Sequence, residues 1–475
     1  MTTLDTVQRH EIPNSWEWRK LGDICDVTDR DHRTPSYQEH GVPLISPKDF
    51  TEHGVDLSRL KHVALEELTA FVKKCKPEIG DILYSRIGTI GEARLVDFDL
   101  KFVALHSIAM VKPRLPGLMS KFVLYLLQSP AIRSKAKHNI KSVGTPDLGL
   151  TRIRDFEVPV PPTEVQKEIV AEIEKQFSRL DEAVANLRRV KANLKRYKAS
   201  VLKAAVEGRL VETEATLASR EGRTYETGEQ LLQRVLLARP DQWSARGRYV
   251  EPLPAELKDL SPLPDGWIWA SIDQLSDFIT KGTTPAATKL FDGSGDVQFL
   301  KVYNLTFDGS LNHTHKPAYV SRATHKDELA RSQVFPGDVL INIVGPPLGQ
   351  VSVVPARVEE ANINQAIARI RPIKPLSSDF ISIALMCDGI MRWAIRRGKT
   401  TAGQANLTLE LCRALPVPVP PLAEQARIVA EVDRHLSIIR EVEAEVDANL
   451  QRAQALRQAT LAAAFAPDKT TGRSS

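Results

Sequence analysis

The hydrophobic pattern of this chain switches twice from strand-like runs to a heptad stripe. Short apolar, β-branched runs come first: VPLISP, DILYSRIG and FVALHSIAMVKP, broken by Gly, Pro and Asp. They predict short strands with few helices, one of those helices running from Ser120 to about Ala136. The run VPVPP at Val158 ends this region. From Thr163 up to Gly208 the chain then has neither proline nor glycine. Ile173, Leu180, Leu187, Leu194 and Val201 recur every seven residues, with Phe177 and Val184 between them. That is the stripe of a long helix packing on a partner helix.

The same sequence of patterns then repeats. VQFLKVYNL, DVLINIVG and INQAIARIRP predict strands, Ser378–Arg397 a helix, and VPVPP returns at Val417. A second stripe lies between Leu422 and Ala466: Val432, Leu436, Ile439, Val442, Val446, Leu450, Ala453 and Leu456. Each long helix would span roughly 65 Å at about 1.5 Å per residue. Proline fixes φ and resists continuing a strand, so each VPVPP reads as a rigid stop between a domain and its helix.

The repeat extends beyond these runs. Trp16 and Trp18 of IPNSWEWRKLGDI fall on Trp267 and Trp269 of LPDGWIWASIDQL, an offset of 251. Gly80-Asp81 falls on Gly337-Asp338, an offset of 257, and the segments ending in VPVPP align at 259. Order is kept while the offset grows, as in two homologous domains with small loop insertions. The division is 1–162 for the first domain, 163–210 for its helix and 211–262 for a linker with a short helix. It continues with 263–421 for the second domain, 422–466 for its helix and 467–475 for a disordered tail. The fold class is α+β: two homologous mixed α/β domains, each followed by a long helix.

Charge sets the direction of the helix pair. Between Asn186 and Ala205 the first helix carries Arg188, Arg189, Lys191, Lys195, Arg196, Lys198 and Lys203 and no acid, whereas its first half is acidic. In the second helix Glu431, Asp433, Glu441, Glu443, Glu445 and Asp447 precede Arg452 and Arg457. A parallel pair would set like charges together; an antiparallel coiled coil opposes them at both ends, each exposed pair contributing about 0.3–0.5 kcal/mol. Antiparallel helices with equivalent domains at their N-terminal ends would place the domains at opposite ends of a rod, related by a pseudo-twofold. A twofold reader of B-DNA meets half-sites about 10 bp apart.

Composition excludes several classes. The 475 residues suffice for about three domains, and 42% hydrophobic with 26% charged residues is ordinary for a globular protein. No run of eighteen apolar residues and no apolar core in MTTLDTVQRHEIPN point to a membrane or secretory segment, so a cytoplasmic location is expected. Cys25, Cys75, Cys387 and Cys412 form no CxxC pair. A net charge of +5 does not by itself argue for nucleic acid.

In each copy VPVPP is followed by Q-x-x-IVAE, with Gln166 and Ile169–Glu172, then Gln425 and Ile428–Glu431. With the W-x-W openings, Thr34-Pro35 and Thr284-Pro285, the Gly-Asp turns and the connector GEQLLQRVLLARPDQW from Gly228, nearly the whole chain resembles the specificity subunit (HsdS) of Type I restriction–modification enzymes. The resemblance implies a non-catalytic subunit whose two target-recognition domains each read one half of a bipartite, asymmetric site on double-stranded DNA. It implies helices that set the gap and dock two methyltransferase subunits, and motor–nuclease subunits in the full complex. This chain would bind no cofactor; S-adenosylmethionine, ATP and Mg²⁺ belong to the partners. A coiled-coil assembly scaffold is the alternative, and a nuclease a third reading.

Base readers are side chains that reach base edges, Arg and Lys to guanine, Asn and Gln to adenine, carried on loops. In the first domain these are Arg30, Arg33, Thr34, Ser36, Tyr37, Gln38, Lys48 and Arg86. In the second they are Lys281, Thr283, Thr284, Lys289, Lys301, Asn304, Asn342, Asn364, Gln365, Arg396, Arg397 and Lys399. The two loops share little beyond Thr-Pro, so the half-sites should differ. Other patterns point to chemistry less well. Pro240-Asp241 with Glu256-Leu257-Lys258 matches a loose nuclease motif, but prolines interrupt the strands it needs. Gly398-Lys399-Thr400 lacks the first glycine of a P-loop, where Trp393 stands. Asp308, His313 and His315 read as loop residues rather than metal ligands. The alternating tryptophans read as core rather than as stacking platforms.

Overall fold

The computed structural model describes residues 12–31, 35–140, 145–241, 243, 248–258, 260–345, 348–401 and 404–466. The expected disordered tail, 467–475, lies outside them. The chain forms two compact units: 1–188 with 447–475, and 189–446. No helix among the described residues is long and apolar enough to cross a membrane.

The first unit is built on a four-stranded antiparallel sheet in the order Cys25–Asp29, Ile108–Pro113, Ile82–Ser85, Ala93–Leu95. Both of its faces are buried, and the alternation of side chains divides them. Ile82, Tyr84, Ala109 and Val111 face a core with Phe122, Val123 and Val158. Leu83, Ile108 and Met110 face a second core with Leu44, Phe71 and Phe102. That second core lies under a smaller sheet, Tyr37–Gln38, Lys61–Val63, Val42–Ile45, Val103–Ala104, whose last pair is parallel. Fully burying one such side chain stabilises by about 1.5–3 kcal/mol.

The second unit repeats the plan. Its main sheet runs Ser276–Lys281, Ile367–Pro372, Val339–Asn342, Val351–Val353. Its second sheet runs Phe291–Asp292, Ala318–Val320, Val297–Leu300, Ala361–Ile363, with Gln333–Val334 as a fifth strand, and its parallel pair is again 297–300 with 361–363.

VPVPP is not a stop throughout. Glu157–Val160 is itself a strand pairing with Glu17–Lys20, so Trp18 lies opposite Pro159. Likewise Pro416–Val419 pairs with Ile268–Ser271, and Trp269 lies opposite Pro418. A two-stranded ribbon tolerates proline because an edge donor is dispensable; only the final two prolines end the strand. The tryptophans are buried or half-buried, with Trp267 edge-on to Phe380 at 6.4 Å.

Each helix expected after the sheets is two. Ser120–Gln128 and Pro130–His138 break at Ser129, which is extended (φ −64°, ψ 147°) because Pro130 disfavours helix in the residue before it. Ser378–Met386 and Asp388–Arg397 break at the buried Cys387 with no proline nearby, so packing sets that bend.

The long helices are Thr163–Val206 and Leu422–Ala464, and they pack antiparallel. In the first unit Ile173 and Phe177 meet Leu461, and Asp181 pairs with Arg457 at 2.6 Å. In the second, Val201, Leu202 and Ala205 share a core with Val432, Leu436 and Ile439, and Tyr197 is 2.9 Å from His435. Val442 and Leu456, read as seam positions, are 37% and 55% exposed; Leu461 is buried instead.

The glutamine after each VPVPP fixes helix to domain. Gln166 Oε1 accepts from Met119 N at 2.9 Å and its Nε2 donates to Pro161 O at 2.9 Å. Gln425 accepts from Ser377 N at 3.3 Å and donates to Pro420 O at 3.0 Å. Both are 2% exposed. Connector helices Glu214–Glu221 and Gly228–Ala238 pack on the second unit. A Cβ at Gly228 would lie 2.0 Å from Val419 O, so only glycine admits this approach.

Candidate nucleic-acid interface

In both units the loops nominated by sequence converge on one end of the four-stranded sheet. In the first, Arg30 follows the strand ending at Asp29, Arg86 follows the strand ending at Ser85, and Ile108 begins the strand between them, opposite Ser85. In the second, Lys281 ends one strand, Asn342 ends another, and Ile367, opposite Asn342, begins the strand between. Antiparallel pairing puts these termini together. The parallel strands of the second sheet lead Ser46–Lys48 and Lys301 to the same end, because Leu105 N donates to Ile45 O (2.8 Å) and Asn364 N to Leu300 O (3.1 Å).

The chemistry at the two ends differs. Arg30 and Arg86 are each 4% exposed. Arg30 pairs with Glu67. The Arg86 guanidinium lies 3.8 Å from Asp29 and 3.5 Å from Asp147 and donates to His106 O at 3.3 Å. Its backbone N donates to Ser107 O, and its O accepts from Leu148 N. Arg86 therefore ties three loops together, and in this conformation both guanidinium groups are held by carboxylates, as buried charges must be. Lys74 donates to Asp31 at 3.0 Å, which raises its ammonium above the usual lysine range, with Asp29 adding to the effect against some burial. Ser36, Tyr37, Gln38 and Lys48 are exposed, Tyr37 and Gln38 on the outer edge of the second sheet. Arg33 and Thr34 lie outside the described residues.

Amides take the place of the arginines in the second unit. Asn342, 1% exposed, accepts from Val344 N at 3.1 Å and donates to Gln350 at 3.4 Å. Asn406 accepts from Gly345 N at 3.3 Å and links the hairpin Lys399–Thr401/Gln404–Asn406 to that loop. Sequence reading passed over Asn406; its alignment with Asp147, at the common offset, was the available signal. Gly282 is obligatory, since a Cβ would sit 2.0 Å from Ile363 O. Thr283 N donates to the same oxygen, Arg331 donates to Thr283 Oγ1 at 3.3 Å, and Thr284 bonds Gln365. Lys281, Thr284, Gln365, Arg396 and Arg397 are exposed. Lys289 pairs with Glu328 at 2.5 Å. Asn304 is turned inward, accepting from Lys301 N and donating to Asn312 O and His315 O. Lys399 is described by its backbone only, in the hairpin that follows helix Asp388–Arg397. A P-loop places its lysine before a helix instead.

The other motifs are scattered. Asp241 lies in the turn beyond the connector helix, whereas Glu256 lies outside any strand, 3.5 Å from Arg397. Asp308 binds Thr306 and Ser310, and His315 packs edge-on to Tyr303. Among the described residues no three His, Cys, Asp or Glu side chains could hold a metal ion.

Residues 13–196 match the family model for the Type I restriction modification DNA specificity domain. The specificity subunit of the Escherichia coli Type I restriction enzyme EcoBI is 26% identical over 344 residues, 72% of this chain but only 64% of its own length. The putative MjaX specificity subunit of Methanocaldococcus jannaschii is 22% identical over 92% of this chain and 91% of its own. A chain solved in work on complex assembly and conformational transition of the type I R-M system superposes with a TM-score of 0.61 at 18% identity, covering 96% of this chain and 99% of the other. That likeness extends the shared fold over both units. Residues 13–196 thus match a Type I restriction modification DNA specificity domain, and the chain as a whole is similar to the specificity subunits of Type I restriction enzymes.

Proposed function

We propose that the chain is the DNA-reading, non-catalytic subunit of a Type I restriction–modification complex. Each unit reads one half of a bipartite site with the loops at the end of its four-stranded sheet. The helix pair sets the gap and carries two methyltransferase subunits, to which motor–nuclease subunits are added. S-adenosylmethionine, ATP and Mg²⁺ act in those partners. The observation that carries this reading is the convergence of equivalent loops on the same end of equivalent sheets, with arginine and carboxylate in one and amides in the other. One scaffold with two different loop chemistries suits two different half-sequences.

The test is selection of bound duplexes from a random pool by the chain assembled with its methyltransferase. Two unlike sequence blocks at one fixed spacing are expected. A single block, or two blocks at variable spacing, would overturn the reading.

A further inference from the structure

Each domain touches its helices at a second place besides the glutamine clamp. The turn Thr51-Glu52-His53-Gly54 follows the second-sheet strand Val42–Ile45, and its equivalent Thr306-Phe307-Asp308-Gly309 follows Val297–Leu300. Both turns are closed by a bridge, Phe50 to Val55 and Leu305 to Leu311. In the first unit Glu52 lies 3.4 Å from Arg188 of the first long helix and 3.9 Å from Arg457 of the second. In the second unit Phe307 O accepts from Lys198 of the first long helix at 2.6 Å, and Asp308 lies 3.6 Å from Arg440 of the second. One cation from each helix therefore holds the turn in both units, although the turn sequences and the cations differ. Beside the turn of the first unit lies a cleft of about 850 Å³, bordered by Arg94, Tyr125, Glu174 and Asp181.

We infer that this turn is an electrostatic strap that fixes the tilt of each domain on the helix pair, with Glu52 and Asp308 as positioning residues for their own half-sites. The inference rests on the proposed function. In the first unit the Glu52–Arg188 pair is exposed and Arg457 is shared with Asp181, so the strap is weak singly and sensitive to salt. In the second it includes a hydrogen bond to a backbone carbonyl, which survives any substitution of Phe307. Tilting the domain would move the sheet end that carries the reading loops, so a released strap blurs one half-site and leaves the other.

The experiment uses the chain assembled with its methyltransferase and has two readouts. The first is hydrogen exchange. Glu52→Arg should speed exchange of residues 50–56 about tenfold without affecting 305–311, and the double variant Glu52→Arg/Arg188→Glu should restore protection in part, because residue 52 then still faces Arg457. The second is duplex selection from a random pool. Glu52→Arg should degrade one block and keep the other, with Asp308→Arg doing the reverse. If Glu52→Arg fails to fold, Glu52→Gln in 0.5 M salt serves in its place. Unchanged exchange overturns the strap. Faster exchange with both blocks intact, or both blocks equally degraded, overturns its positioning role. A wild-type complex that selects no duplex would instead refute the proposed function and with it the positioning role, while exchange still decides whether the strap exists.

Discussion

At the scale of single residues, burial separates scaffold from surface. Gln166 and Gln425 each spend their amide on one backbone donor and one backbone acceptor across the domain–helix junction. Gln166→Leu leaves Met119 N and Pro161 O unpaired and should cost about 1–3 kcal/mol, read as a lower urea midpoint at unchanged slope. Gly228→Ala should cost about as much through overpacking against Val419 O, with a partial rescue by no small residue other than glycine. The cysteines make a chemical prediction. Burial pushes the Cys25 and Cys412 thiols up to about 12. At pH 8 only about one in 10⁴ would be thiolate, so iodoacetamide should label these two after unfolding and not before.

At the scale of elements, the loops proposed to read DNA are carried at the same end of the four-stranded sheet in both units. Replacing Thr283–Lys301 by the corresponding loop of a relative should change one half of the selected sequence and keep the other. Gly282 must be retained in such a swap, because its missing side chain seats the loop on Ile363. Loss of both halves together would mean that the units do not read independently. The strand pair Lys399–Thr401/Gln404–Asn406 is a second element on the same sheet end, tied through Asn406. Asn406→Ala should therefore lower discrimination within the same half-sequence by about 1–3 kcal/mol if the hairpin positions a base contact.

At the scale of the whole molecule, the long helices carry a heptad seam, which whole heptads extend in phase. One heptad inserted after Leu194, with a matching heptad after Glu441 on the antiparallel partner, keeps the hydrophobic phase. It adds about 10 Å of helix, or roughly three base pairs. Duplex selection by this variant should return the same two half-sequences with a longer gap. Recovery of the original gap by a folded, methyltransferase-bound variant would mean that the helices do not set it.

The sequence by itself determined the duplication, the two heptad helices and their antiparallel sense, because period and charge are local properties that need no knowledge of distant contacts. It also nominated the loops. Tertiary structure decided what those loops' residues do. Arg30 and Arg86 look like guanine readers in sequence, yet each is buried against carboxylates that lie 37 and 57–61 positions away. Asn304 reads as an adenine contact and is turned inward to three backbone groups. The break at Cys387 and the strand within VPVPP depend likewise on a partner segment far along the chain. Periodicity reports which face of an element is apolar. Only the assembled fold reports which partner waits opposite each polar group, and desolvation makes that partner decisive.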